Sequence, residues 1–483
     1  MDRTNTRMRS GRSHGFGREV YIYKTLTPFP LGFPLNLCYT ISKGSRVDRG
    51  PRKDDTDRMT EQEREREQRK NRMRRRMMVG AQDEAEEYEE EASAEDDGYE
   101  SRLFRHRIKK ILLVVVPLIV LIGGAVILYH NYQQKQYIEY EVRWEKDLAE
   151  GGFSSYVTYG TNVIKYSRDG ASYINDQGEA VWSEAYEMRN PMAVVSGNYA
   201  AIADREGRSI FIFDLNGCQG KVQTILPVTN VTVASQGVVA VLLEEAEVCY
   251  INFFDKTGAK LDIEKKMWMG GEGYPVAMAL SPTGNQLMLS SVYVDAGSMQ
   301  NKIAFLNFSE MGELLEEKLA GAFELKDTIA PQVTFFSDTR ACAFLDNGIT
   351  FYSMKELSPK DPLLPEQGQT YTYDEDIRSI FYDTTHVGII TDGKDQMTPY
   401  HLYVYDASGQ VVLDMEMDFE YVKAQMSSYG ICLNAQSECR LYSFDGQVKY
   451  DGSLDGSISM LVPLSQTRLI RIGDQKISEV VLK

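Results

Sequence analysis

The residues in this 483-residue chain from which chemistry could be built are few. Beyond residue 150 the histidines are His386 and His401, on what read as adjacent strands of one repeat and so able to approach each other. Two imidazoles without a third ligand do not make a zinc site, so no metal is expected. Carboxylates are abundant, as in Tyr373-Asp374-Glu375-Asp376. A converging pair about 5 to 10 Å apart would be the equipment of a glycosidase. No G-x-S-x-G elbow is present, which disfavours a serine hydrolase, and no glycine-rich phosphate loop follows a strand. No catalytic residue and no cofactor is assigned.

Six cysteines, too scattered for a disulfide scaffold, include one local pair, Cys432 and Cys439, flanking Asn434-Ala435-Gln436-Ser437. If Ala435 and Gln436 form a two-residue hairpin turn, Cys432 falls directly opposite Cys439 at a hydrogen-bonded position. The two are then expected to be close, and a disulfide between them would be strained.

These residues are positioned by a chain organised around one apolar stretch. Residues 111–129, ILLVVVPLIVLIGGAVILY, are nineteen in number and uncharged. That just meets the roughly 20 residues a helix needs to cross about 30 Å of hydrocarbon. Arg102, Arg105, Arg107, Lys109 and Lys110 crowd its N-terminal side, while the basic residues beyond it are sparse. The reading is a single-pass signal anchor in the cell membrane, with the N-terminus cytoplasmic and the C-terminal region outside.

The two sides differ in charge. Residues 1–110 hold 25 Lys and Arg against 21 Asp and Glu; the remainder holds 28 against 49. An ectodomain that acidic repels nucleic acid and anionic polymers. In the tail, helix formers ending in an arginine-rich run (residues 59–78) precede eleven acidic residues within 81–100. Such blocks predict a disordered, charged cytoplasmic tail over 1–110.

From residue 150 on, short alternating runs rich in Val, Ile, Tyr and Phe are separated by Asp-x-x-Gly or Asp-Gly turns. The turns read Asn175-Asp176-Gln177-Gly178, Asp214-Leu215-Asn216-Gly217, Asp255-Lys256-Thr257-Gly258, Ser309-Glu310-Met311-Gly312, Asp406-Ala407-Ser408-Gly409 and Asp445-Gly446. Four strands per repeat of roughly 43 residues is the pattern of a propeller blade. Innermost strands are expected near Tyr156, Met192, Val231, Val276, Val333, Ile377, Val422 and Ile458. The fold class is therefore all-β: a β-propeller over 151–483, with eight blades favoured over seven. Its last repeat is one strand short, and the alternating YIEYEVRW at 137–144, within a linker at 130–150, is the expected ring-closing strand.

The hairpin Tyr173-Ile174-Asn175-Asp176-Gln177-Gly178-Glu179-Ala180-Val181-Trp182 resembles the repeat of quinoprotein-like (PQQ-like) propellers, with its aspartate turn, glycine and following tryptophan. The other hairpins have no tryptophan there, so the resemblance implies the fold and not the cofactor. Taken whole, basic tail, single span and acidic propeller are similar to an uncharacterised bacterial family of single-pass membrane-anchored propeller proteins, which implies no activity. The expected role is non-enzymatic: a binding or scaffold propeller recognising an envelope protein, peptide or glycan. The alternative is an envelope hydrolase with a carboxylate pair in the propeller channel.

Overall fold

A computed structural model describes residues 65–74, 113, 115–125, 134–148, 154–355 and 362–483. The chain divides into two units at Leu113 and Val114. In the first, residues 65–74 form an exposed helix. In the second, residues 115–125 are helical, and Leu118, Ile119, Val120 and Leu121 are exposed on that helix. Among the described residues no helix is long and apolar enough to cross a membrane. The rest of 111–129 lies outside the described residues, as do Arg102, Arg105, Arg107, Lys109 and Lys110.

Beyond these, the strands form eight four-stranded antiparallel sheets. Seven are consecutive meanders, blades 1 to 7, spanning residues 155–185, 191–223, 228–268, 274–326, 332–372, 377–417 and 423–453. Blade 8 takes Met460–Pro463, Arg468–Ile472 and Lys476–Leu482 from the C-terminus and Tyr140–Asp147 from the N-terminal side. The fold is an eight-bladed propeller. The fourth strand of blade 8 runs three residues later than the alternation at 137–144 suggested; Tyr137 instead bridges Tyr450 of blade 7.

The core explains the strand patterns. Eight apolar clusters each lie between two neighbouring blades: Ile164 meets Ile202 between blades 1 and 2, Phe336 meets Ile389 between 5 and 6, and Val163 meets Ile470 between 1 and 8. The second strand of a blade is covered on both faces, so it reads as a continuous apolar run: Val239–Glu245 (VAVLLEE) and Arg340–Leu345 (RACAFL). The fourth strand lies at the rim with one face wet, so Lys260–Trp268 alternates exposed and half-buried residues.

The turn motif works as its chemistry requires. Asp255 Oδ1 accepts from the backbone N–H groups of Thr257 and Ala259, and Gly258 takes φ 84°. Asp406 and Gly409 repeat the arrangement. Two positions differ. Ser309 caps a 3-10 turn, Glu310–Leu314, that lengthens the connection into a small lobe, and in the Asp445-Gly446 turn Ser443 stands where the other turns have Asp and donates its hydroxyl to Asp445.

Candidate functional site

Antiparallel meanders sort their connections onto two faces. Turns between first and second and between third and fourth strands lie on one; second-to-third turns and blade-to-blade connections lie on the other. The chain joins the ring on the first face. Tyr137 N–H donates to Lys449 O, and Ile138 and Glu139 bond Lys483 O, just before the closing strand begins. The first-to-second turns there include the uncharged Gly160-Thr161, Gly197-Asn198 and Ser428-Tyr429, and the third-to-fourth turns there are the Asp-x-x-Gly turns. We call this the entry face and the other the far face.

The histidines do not meet. His386 pairs with Asp406 and His401 with Thr391, at opposite ends of the same two strands of blade 6. Five residues of strand separate them, about 17 Å. His386 Nδ1 bonds Thr385 Oγ1 at 2.8 Å and its ring stacks on Phe444; His401 Nε2 bonds Asp414 Oδ1 at 2.6 Å and stacks on Tyr403. Among the described residues no group of three His, Cys, Asp or Glu could hold a metal ion.

The 373–376 segment is structural in its contacts. Tyr373 bonds the Tyr405 hydroxyl at 2.7 Å, and burial pushes the Tyr405 phenol up to about 12. Glu375 pairs with Lys394 at 3.1 Å, which holds its carboxyl below the ordinary range. Asp392 beside Arg378 and Asp418 beside Arg440 are shifted the same way.

The cysteine hairpin turns one residue later than a turn at Ala435-Gln436 requires. Ala435 N–H bonds Glu438 O, so Gln436 and Ser437 form the turn. Cys432 therefore faces Leu441 and Cys439 faces Asn434, not each other. The blade 7-to-8 connection sets this register: Leu454 and Ile458 donate to the carbonyls of Ser437 and Gln436, and the Asn434 amide reaches Ile458 O. Both cysteines are free and buried in one cluster, as diagonal neighbours on the same sheet face. Burial drives the Cys439 thiol up to about 12 and raises the Cys432 thiol well above its ordinary value.

The far face carries a surface that sequence reasoning missed. In blade 4, Gln286–Asp295 and Ser298–Asn307 are ten residues each and overshoot their neighbours. Flanking pairing stops at Tyr274 with Val292 and at Gln300 with Lys326, so the tip around Val294 and Met299 projects with both edges unpaired. Val294 is 76% exposed and Ile225, in the blade 2-to-3 connection, 86%. Trp268 is 55% exposed at the end of blade 3, with Lys266 over its ring at 4.4 Å. Met397 and Val422 are exposed on the same face. The signal available in the sequence was the length of the 286–307 hairpin and the Trp268-Met269-Gly270-Gly271 break.

On the entry face, a half-open cleft of about 400 Å³ lies between blades 7 and 8. Ile431, Cys432, Leu441 and Leu469 form its floor, and Lys135, Lys449 and Tyr429 stand at its walls.

The eight four-stranded sheets, closed by strands from both parts of the chain, make this a β-propeller protein entered on one face of the ring. The chain belongs to the family of unknown function DUF5711, whose model matches residues 133–482. No curated protein matches it. Among solved structures it is similar in fold to BamB from Moraxella catarrhalis, at 11% identity and TM-score 0.44, over 71% of this chain and 100% of that one. It is also similar to Kluyveromyces lactis Hsv2 (11%, TM-score 0.39, 62% of this chain and 97% of that one). A third is the Neurospora crassa Pan2 WD40 domain (10%, TM-score 0.35, 60% and 88%). Likeness at this level concerns the fold alone.

Proposed function

We propose that this protein is a single-pass, membrane-anchored propeller held outside the cytoplasm, which binds an envelope protein, peptide or glycan on its far face and is not an enzyme. The observation that carries this reading is the separation of the two faces. The chain enters on one face, while Ile225, Trp268, Val294 and Met299 stand exposed on the other. From Tyr129, the end of the apolar stretch, to Lys135 the chain extends about 20 Å at most. An anchor at 111–129 therefore holds the entry face near the bilayer and turns the far face outward. The exposed apolar side chains of the 115–125 helix suit a lipid environment. Exposed aromatic and aliphatic residues carried on the rigid blades 2 to 4 are suitable material for a recognition surface.

The hydrolase alternative needs a carboxylic acid kept protonated near neutral pH by an apolar or like-charged setting. Glu375, Asp392 and Asp418 are moved the other way by Lys394, Arg378 and Arg440, so none of these three is such an acid. Crosslinking from single far-face positions in cells, compared with entry-face positions, tests the proposal. Adducts confined to the far face support it, and turnover of envelope glycans or peptides by the purified full chain would replace it.

A further inference from the structure

The cleft between blades 7 and 8 is built unlike the rest of the surface. Its floor is apolar: Ile431, Leu441 and Leu469 are each under 9% exposed. Cys432 joins them as an uncharged thiol, since burial holds its proton on. Its walls carry two ammonium groups. Lys135 lies 5.0 Å from the Tyr137 ring, and Lys449 reaches only the Gln447 amide oxygen, at 3.4 Å. Among the described residues neither lysine makes an ion pair, in a region where Asp and Glu outnumber Lys and Arg 49 to 28. One carboxylate, Asp445, also lines the cleft and accepts from the Ser443 hydroxyl, so the two ammonium groups outnumber it. The volume suits a small apolar guest; ligand pockets run from roughly 300 to 1,000 Å³.

Position adds the occupant. The cleft opens beside Lys135, where the chain enters the ring, on the face that the anchored reading turns toward the bilayer. A guest there gains from an apolar tail laid on the floor and from a negative head placed between two lysines. We propose that this cleft is a lipid site, taking an acyl chain of an anionic phospholipid from the adjacent leaflet with its phosphate at Lys135 and Lys449. The inference rests on the anchored reading, and its test separates the two.

The probe is phosphatidylglycerol carrying a diazirine near the end of one acyl chain, with the full-length protein in phosphatidylcholine nanodiscs. After irradiation, labelled peptides are expected from 427–445 and 463–469 as well as from 111–129. The double variant K135E/K449E should reduce cleft labelling at least fivefold, and S428W, an exposed position at the mouth, should block it without loading the core. K256E/K318E, on the same face away from the cleft, should leave it unchanged. Label in 111–129 alone overturns the lipid site and leaves the anchor standing. Cleft labelling by the same probe in detergent solution but not in nanodiscs overturns the orientation while the site survives. Equal labelling by the phosphatidylcholine analogue overturns the phosphate assignment, and labelling by a free fatty acid but not by bilayer lipid overturns the source.

Discussion

Arg143 Nη1 donates to Glu479 Oε1 at 3.2 Å across 336 residues of sequence, and Arg468 Nε meets the same oxygen at 2.6 Å. The Glu479 side chain is 2% exposed, so two strands from opposite parts of the chain share one buried carboxylate at the seam of the ring. Both guanidiniums are partly exposed and return to water if it is removed. Glu479→Gln is therefore expected to cost only about 1–2 kcal/mol, and Arg143→Ala less than about 1. Urea unfolding of the three proteins measures this, and a loss above about 4 kcal/mol for Glu479→Gln would show that the seam carries more than these bonds.

The strand that holds Glu479 is worth far more than the one side chain. Lys476–Leu482 lies between Arg468–Ile472 and Tyr140–Asp147, so deleting residues 476–483 leaves two unpaired edges and strands the entry segment. The truncated chain is expected to lose its single cooperative transition and to aggregate. Scanning calorimetry that returned the parent's melting profile would contradict closure by this strand.

Cys432 and Cys439 are diagonal neighbours, a geometry with Cβ atoms beyond disulfide reach. Protein prepared without reductant should show both thiols free on alkylation after unfolding and unreactive before it, because burial keeps them protonated. A mass two units low on the 423–453 peptide would refute this.

Acid should weaken the fold in a defined direction. Asp392, Asp406 and Asp418 have folded pKa values below their unfolded ones, through Arg378, through Ser408 against an opposing burial effect, and through Arg440. Their stabilisation is complete above the ordinary aspartate value of about 3.9 and is lost as pH falls through the lower folded values. Denaturant midpoints should therefore fall steeply below about pH 4, and less steeply in Asp406→Asn. A midpoint that rose on acidification would reverse the sign.

Topology has its own check. External protease on spheroplasts should digest the C-terminal region and leave residues 1–110 protected, from the charge bias of Arg102, Arg105, Arg107, Lys109 and Lys110. Digestion of the tail with a protected propeller would invert the orientation.

Much of the ring was legible because its signals are local. Six of the eight expected inner positions, from Tyr156 through Ile377, fall within first strands, and Val422 and Ile458 sit one and two residues ahead of theirs. Period-two alternation and the Asp-x-x-Gly turn specify a blade with little help from distant residues. What was not legible depends on tertiary contact. The Cys432 hairpin takes its register from a connection that docks on Gln436 and Ser437, about twenty residues later in the chain. His386 and His401 share two strands, yet only the pairing register shows them at opposite ends. The cleft is bounded by residues from 135 to 469 and leaves no mark at any one place in the sequence.

Binding by the far face has a direct test. A photoreactive amino acid placed in turn at Val294, Met299 and, on the entry face, Asn198 tests it in living cells. One defined adduct is expected from 294 and 299 and none from 198, and it should be lost in Trp268→Asp without a change in melting temperature. Adducts from 198 alone, or none from any position in cells that fold the protein, would contradict it.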